Sequence, residues 1–189
     1  MKKITNLQLF LLGTLLFSTQ LIADSEVSIL YSAANPDYKP FESTFGYALN
    51  GQYNFENGLF VSGYFNETDF KASGPLVGGV DVNSWSEVGI GYSFDHDLGQ
   101  FYTLITFESI DTELKTYDGY GAHFGYRNNF VQDWTGVVQL GYIDTEFDDW
   151  QLIGKLYYSL TDNLSLTLGI RDYNNWDYTN YEAGVVFRF

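Results

Sequence analysis

The 189-residue chain contains no cysteine. That excludes disulfides, thiolate metal sites, a cysteine nucleophile and lipidation at an N-terminal cysteine. Prolines number only 3, methionines 1 and histidines 2. Basic residues are scarce as well: 9 Lys and Arg stand against 24 Asp and Glu, for a net charge of −15. So acidic a chain is a poor partner for nucleic acid, and its acidity reads first as a solvated rim. Long apolar runs are missing, with one exception at residues 9–17, LFLLGTLLF. That run is too short for an ordinary transmembrane helix, which needs roughly 20 residues. Lys2 and Lys3 precede it and Ala23 follows as a cleavage point, with a bulky Leu21 two positions earlier. Residues 1–23 therefore read as a signal peptide, and 24–189 as the exported chain. Cleavage would remove two lysines and no acid, moving the formal net charge to about −17.

What is abundant points to strands. The chain has 16 Tyr, 16 Phe and 4 Trp, residues favoured in strands and at membrane interfaces. The 19 glycines are spread through alternating segments rather than gathered in a linker. Residues 178–189, YTNYEAGVVFRF, show the pattern most clearly. Tyr181, Ala183, Val185, Phe187 and Phe189 share one face, and Asn180, Glu182, Gly184, Val186 and Arg188 share the other. Similar segments recur: Phe45, Tyr47, Leu49, Tyr53 and Phe55 against Gly46, Ala48, Asn50, Gln52 and Asn54, and Val88, Ile90, Tyr92 and Phe94 against Glu87, Gly89, Gly91 and Ser93. Asn57-Gly58 is a strong hairpin signal. Short turns (ENG, DHDLG, NNFVQD, TDN) alternate with longer or more acidic connections, among them ANPDYKPFE, KASGPLVGGVDVN, ESIDTE, TEFDD and NNWD. The spacing predicts an all-β fold: a closed, antiparallel, up-and-down transmembrane β-barrel of about ten strands, with eight as the alternative count. An even count puts both termini on the short-turn side.

Periodicity alone does not say which face points outward, because a soluble barrel would hide the aromatic face. The crowd of large aromatics is too great for a small interior, and many lie near strand ends, as an interfacial girdle requires. The opposite face carries Gly46, Gly89, Gly91, Gly119, Gly121, Gly125, Gly141, Gly169 and Gly184, which suits a narrow lumen. The membrane arrangement, apolar face out, is expected.

On these residues the chain resembles small outer-membrane β-barrels of the OmpA/OmpX kind. The terminal GVVFRF is similar to the signal that the barrel-assembly machinery reads in that class, with Tyr181, Phe187 and Phe189 as its aromatic positions. The strand count and the runs VGIGYSF and GYGAHFGYR look closer to the ten-stranded barrels known as sulfation-dependent quorum factors. The resemblance implies the fold and the bacterial outer membrane as location, and it implies no activity.

With the apolar face outward, the lumen carries Glu87, Glu108, His123, Arg127, Lys155, Arg171 and Glu182, with Arg188 at the periplasmic mouth. Charges in a narrow barrel must be paired or wet. Folding the last hairpin about NNWD brings Arg171 towards Glu182, which predicts an ion pair. The DHDLG hairpin sets Glu87 opposite Glu108, and two facing carboxylates need water, a cation or a lumen base. His123 reads as a hydrogen-bonding group of the lumen, and His96 as a solvated turn residue.

Catalytic chemistry finds little footing. Neither histidine falls in an expected outer loop, and Gly121 and Gly125 flank His123 where a deacylase-like site would offer serine. No catalytic residue, cofactor or metal ligand set is expected, since no segment has the ligand spacing of an EF-hand. The acidic outer connections suit divalent cations bridging to lipopolysaccharide. The expected partners are thus outer-membrane lipid and lipopolysaccharide, together with the assembly machinery during biogenesis, for a monomer. The expected role is structural or surface-interacting, around a plugged, charged lumen. A narrow porin-like pore is the first alternative, and a lipid-modifying enzyme the second.

Overall fold

A computed structural model describes residues 25–36, 44–72, 80–146, 148–175 and 178–189. The leader read in residues 1–23 lies outside the described residues, as do the centres of the two proline-containing connections. The described chain forms strands β1 (Glu26–Pro36), β2 (Thr44–Asn54), β3 (Leu59–Ala72), β4 (Val80–His96), β5 (Gly99–Thr112), β6 (Thr116–Val131), β7 (Trp134–Asp144), β8 (Asp149–Thr161), β9 (Leu164–Tyr173) and β10 (Tyr178–Arg188). Each strand pairs antiparallel with its sequence neighbours, and β1 pairs with β10 to close the barrel. Ten strands, not eight, complete the circuit. The seam runs from Glu26 opposite Arg188 to Pro36 opposite Tyr178. Closure leaves no strand edge with unsatisfied backbone groups. Among the described residues, no helix is long and apolar enough to cross a membrane. The elements that can cross are the strands.

The two-residue period sorts side chains as read. Ile29, Val88 and Leu168 face outward at 53%, 62% and 61% exposure, values that only a surrounding apolar medium makes tolerable in such number. Aromatic pairs bracket this apolar belt. At the end bearing the short turns, Phe94 stacks on Phe101 with ring centroids 5.6 Å apart, and Trp134 meets Tyr158 at 4.9 Å. Towards the other end, Tyr142 meets Trp150 at 5.2 Å and Phe107 meets Tyr120 at 5.8 Å.

Several strands are longer than the sequence predicts. ESIDTE is not a loop: β5 continues to Thr112, and only residues 113–115 connect it to β6. β4 reclaims the end of KASGPLVGGVDVN, starting at Val80. Beyond the Phe107–Tyr120 pair the outward face turns polar. Ser109 donates to Asp118 at 2.8 Å and Thr116 donates to Asp111 at 3.0 Å. These strands outrun the apolar belt, so the alternation that marks a strand in lipid disappears while the ladder goes on. At the top of this extension Lys115 pairs with Glu146 across neighbouring connections, and that hydrogen bond raises the lysine's pKa above its ordinary value. At the other end, Gly58 and Gly99 take φ of 83° and 139°, which the tight turns there require.

Candidate functional site: the barrel lumen

The inward faces fill the barrel in layers. Farthest from the termini, Ala34, Val82, Trp85, Ile110, Tyr117, Ile143 and Tyr173 form one buried apolar cluster, none above 6% exposed. Trp85 and Tyr173 are its centre, with ring centroids 4.4 Å apart. The residues come from β1, β4, β5, β6, β7 and β9, so the cluster spans the lumen. It is an apolar layer in a lumen otherwise rich in polar side chains.

A charged layer lies beneath it, and Arg171 is its hub. Its Nη1 donates to Glu87 Oε1 at 2.6 Å. Its Nε lies 3.4 Å from Glu182 Oε1, an ionic contact without hydrogen-bond alignment. The guanidinium also stacks over the Tyr64 ring, 3.6 Å from its centroid. Tyr64 in turn donates its hydroxyl to Glu182 Oε1 at 2.6 Å, and Asn180 Nδ2 donates to the same oxygen at 3.3 Å. With Arg171 only 3% exposed, one cation compensates two buried carboxylates.

Glu87 and Glu108 are direct cross-strand partners, as the hairpin predicts. Both are buried. Each has its own partners. Glu87 takes Arg171, and Gln151 donates to it at 3.4 Å. Glu108 accepts from Trp85 Nε1 at 2.9 Å and from Thr106 Oγ1 at 2.5 Å. His123 Nε2 lies 2.9 Å from Thr106 Oγ1 and 3.5 Å from Glu108 Oε1. His123 is thus a hydrogen-bonding member of the lumen, and Gly141 opposite it makes room for the ring: a Cβ there would stand 2.7 Å from His123 Cε1. Large inward side chains meet glycine across the ladder elsewhere too, with Phe60 opposite Gly91 and Tyr102 opposite Gly125. That matching of bulk to absence lets a ten-stranded barrel fill its interior.

Nearest the termini, Glu26 bridges Arg127 Nη2 at 3.0 Å and Arg188 Nε at 3.6 Å. Tyr157 lies under both guanidinium groups, 5.4 Å and 5.8 Å from its ring centroid. Between this bridge and the Arg171 layer lies a chamber of about 80 Å³. Its lining includes Lys155, Arg127, Tyr102, Gln139, Gln52 and Gln100.

The inward residues read from the sequence therefore fall into separate groups. Glu87, Arg171 and Glu182 meet at one node. Glu108 and His123 meet beside it. Arg127 and Arg188 meet through Glu26, and Lys155 stands in the chamber. Tyr181, Phe187 and Phe189 point outward, at 49%, 47% and 56% exposure. The sequence reading passed over Glu26, Tyr64, Trp85, Tyr157 and Tyr173. The alternation carried the signal for them: Glu26 lies on the face opposite Val27 and Ile29, and Tyr64 sits between inward Ser62 and Asn66. Attention to aromatics as lipid-facing residues hid the ones that fill the lumen.

Among the described residues, no group of three or more His, Asp or Glu is gathered as a metal site would need. Neither histidine is at the far rim: His123 is within β6 beneath the apolar cluster, and His96 ends β4 at a short turn.

This architecture, a closed antiparallel barrel with an apolar outer belt, aromatic girdles and a polar lumen, is that of the small outer-membrane β-barrels. No protein-family model matches the chain, and no curated protein matches it. Solved structures do. An outer membrane channel from Pseudomonas putida F1 is similar at 9% identity and a TM-score of 0.52, over 90% of this chain and 97% of that one. The NanC porin is similar at 11% identity and a TM-score of 0.50, over 86% of this chain and 100% of that one. At such identities the likeness shows a shared fold.

Proposed function

We propose that this chain is an integral protein of the bacterial outer membrane with a structural or surface-interacting role and a closed lumen. The observation that supports the reading is a pair of buried inward layers, one above the other. The apolar cluster around Trp85 and Tyr173 is one, and the node of Arg171, Glu87, Glu182 and Tyr64 is the next. A conducting path would have to break a buried ion pair as well as a dry contact, and each is costly. Reconstitution in planar bilayers tests it. The expected record is silent at moderate voltage, and stable unitary current steps overturn the closed lumen.

The second reading, a narrow pore for ions or small solutes, has one observation in its favour. The chamber lined by Arg127, Lys155 and Arg171 is a polar space within the lumen, and relatives by fold are described as a channel and a porin. The same recording decides between the two. A lipid-modifying enzyme gains no support from a His123 enclosed in the lumen.

At the outer surface we take lipopolysaccharide, bridged by divalent cations, as the partner. The polar extension of β5 and β6 presents Asp111 and Asp118 there, beside Glu146 and Asp148 in the next connection. Since the described residues gather no metal site of their own, the lipid phosphates would complete the coordination. In lipopolysaccharide-containing vesicles, chelation should lower the melting temperature. In detergent alone it should not, and an unchanged melting curve in both removes the bridge. Phe187 and Phe189 fit a recognition signal for the assembly machinery, and the periplasmic side is then the end carrying both termini.

A further inference from the structure

The lumen holds Arg127, Lys155, Arg171 and Arg188, and all but one are committed. Arg127 and Arg188 share Glu26, and Arg171 holds Glu87 and Glu182. Lys155 makes no ion pair and no hydrogen bond with any described residue. It sits on the inward face of β8 between Ile153 and Tyr157, in register with Val137 on β7 and Gly169 on β9. A Cβ at Gly169 would lie 3.3 Å from Glu182 Oε2 and 3.5 Å from Lys155 Cγ, so the two side chains flank the same backbone position.

The chamber around it is polar. Asn50, Gln52, Ser62, Gln100 and Gln139 line it with the lysine, and its ionisable lining is Arg127, Lys155 and Arg171 against Glu26 and Glu87, besides tyrosines. Both carboxylates are already engaged by arginines. Glu182 stands outside this lining: its Oε1 is held by Tyr64, Asn180 and Arg171, and its Oε2 takes no hydrogen bond from the described residues. An enclosed ammonium with no partner is costly unless water or an anion satisfies it. The space, about 80 Å³, takes a few waters or one compact oxyanion. The apolar cluster shuts the far end, while half-buried Ser93 and Gln100 mark the way in from the end carrying the termini.

We propose that this chamber is a binding site for a small oxyanion, a carboxylate or inorganic phosphate, seated on Lys155 and entered from the periplasmic mouth. The site rests on the closed-lumen reading only in being a dead end. A barrel that conducts would keep the site and lose the dead end, whereas a silent barrel that binds nothing loses the site alone.

Calorimetric titration of the refolded full-length barrel in micelles, at low and constant ionic strength, tests the proposal. Sodium phosphate and sodium acetate serve as separate probes. Saturable one-site binding of at least one of them is expected. Lys155→Gln should weaken it at least about tenfold, the size of one charge-assisted hydrogen bond. Lys155→Arg should retain it, and Lys115→Gln at the opposite end should not alter it. No saturable binding of either probe to the wild type overturns the site, as does equal binding by Lys155→Gln. If that variant fails to fold, selective lysine 13Cε labelling of the wild type replaces it. The Lys155 resonance should then move with the probe while that of Lys115 stays, and an unmoved Lys155 resonance overturns the proposal.

Discussion

Arg171 shows how much one side chain can settle in a barrel this narrow. Its guanidinium, flat on Tyr64, reaches Glu87 in one direction and Glu182 in the other. Arg171→Ala would leave two carboxylates enclosed without their cation and should cost about 3–5 kcal/mol, read as a lower urea midpoint for unfolding in micelles. Arg171→Lys should recover only part of this, because a single ammonium cannot face both acids and stack on the ring. The glycines give a paired test of which face is which. A Cβ at Gly141 would press on the His123 ring, whereas one at Gly154 would find only Ile170 Cγ2, at 3.3 Å. Gly141→Ala should push the imidazole off Thr106 and cost about 1–3 kcal/mol, in the manner of an overpacked core. Gly154→Ala, on the lipid side, should leave the urea midpoint nearly unchanged. Equal effects at the two positions would contradict the assignment of faces.

At the scale of elements, the seam between β1 and β10 carries the closure. The Phe189 N–H donates to the Ser25 carbonyl at 3.0 Å, and Glu26 ties β1 both to its seam partner through Arg188 and across the lumen to β6 through Arg127. Glu26→Gln should therefore loosen the brace, and hydrogen exchange should rise at the β1–β10 seam before it rises at β4–β5. Uniform exchange in the variant would mean the bridge does not hold the seam. Deleting Phe189 removes an exposed ring and one seam hydrogen bond, a loss of about 1 kcal/mol in the finished barrel. If Phe189 is read by assembly factors, the loss appears instead as slow or failed insertion in cells, with the unfolding midpoint of the inserted fraction almost intact. Normal insertion of the truncated chain would remove that role.

For the whole molecule, the expected consequence of a closed lumen is silence under voltage. Trp85 and Tyr173 supply the two largest buried rings of the apolar cluster, with centroids 4.4 Å apart. The double variant Trp85→Ala, Tyr173→Ala should leave the Arg171 node as the sole obstruction and give brief, flickering currents where the wild type gives none. If it stays as quiet as the wild type, the charged node is by itself a sufficient seal. If the wild type conducts, the lumen breathes more than its packing implies.

Much of this molecule is written in a period of two. Outward Phe94, Phe101, Trp134 and Phe187, inward Glu87, Arg171 and Glu182, the ten strands and the closing of the last on the first all follow from alternation and turn signals, because a strand in lipid must segregate its faces at every residue. Alternation says which face a side chain occupies but not what it meets across the barrel. The distance from Arg171 on β9 to Glu87 on β4, or from Arg127 on β6 to Glu26 on β1, is set by strand tilt and stagger around the ring, which no local segment encodes. For the same reason the sequence could place Glu87 opposite Glu108 yet not foresee that Arg171 and Trp85 would give each its own partner. The upper reaches of β4, β5 and β6 were illegible for a different reason. Outside the apolar belt no solvent contrast enforces the pattern, and only the ladder of backbone hydrogen bonds continues the strand. The sequence determined the faces and the count. The tertiary structure decided how the inward side chains are layered, and that among the described residues Arg127, Arg171 and Arg188 find carboxylates while Lys155 makes no ion pair.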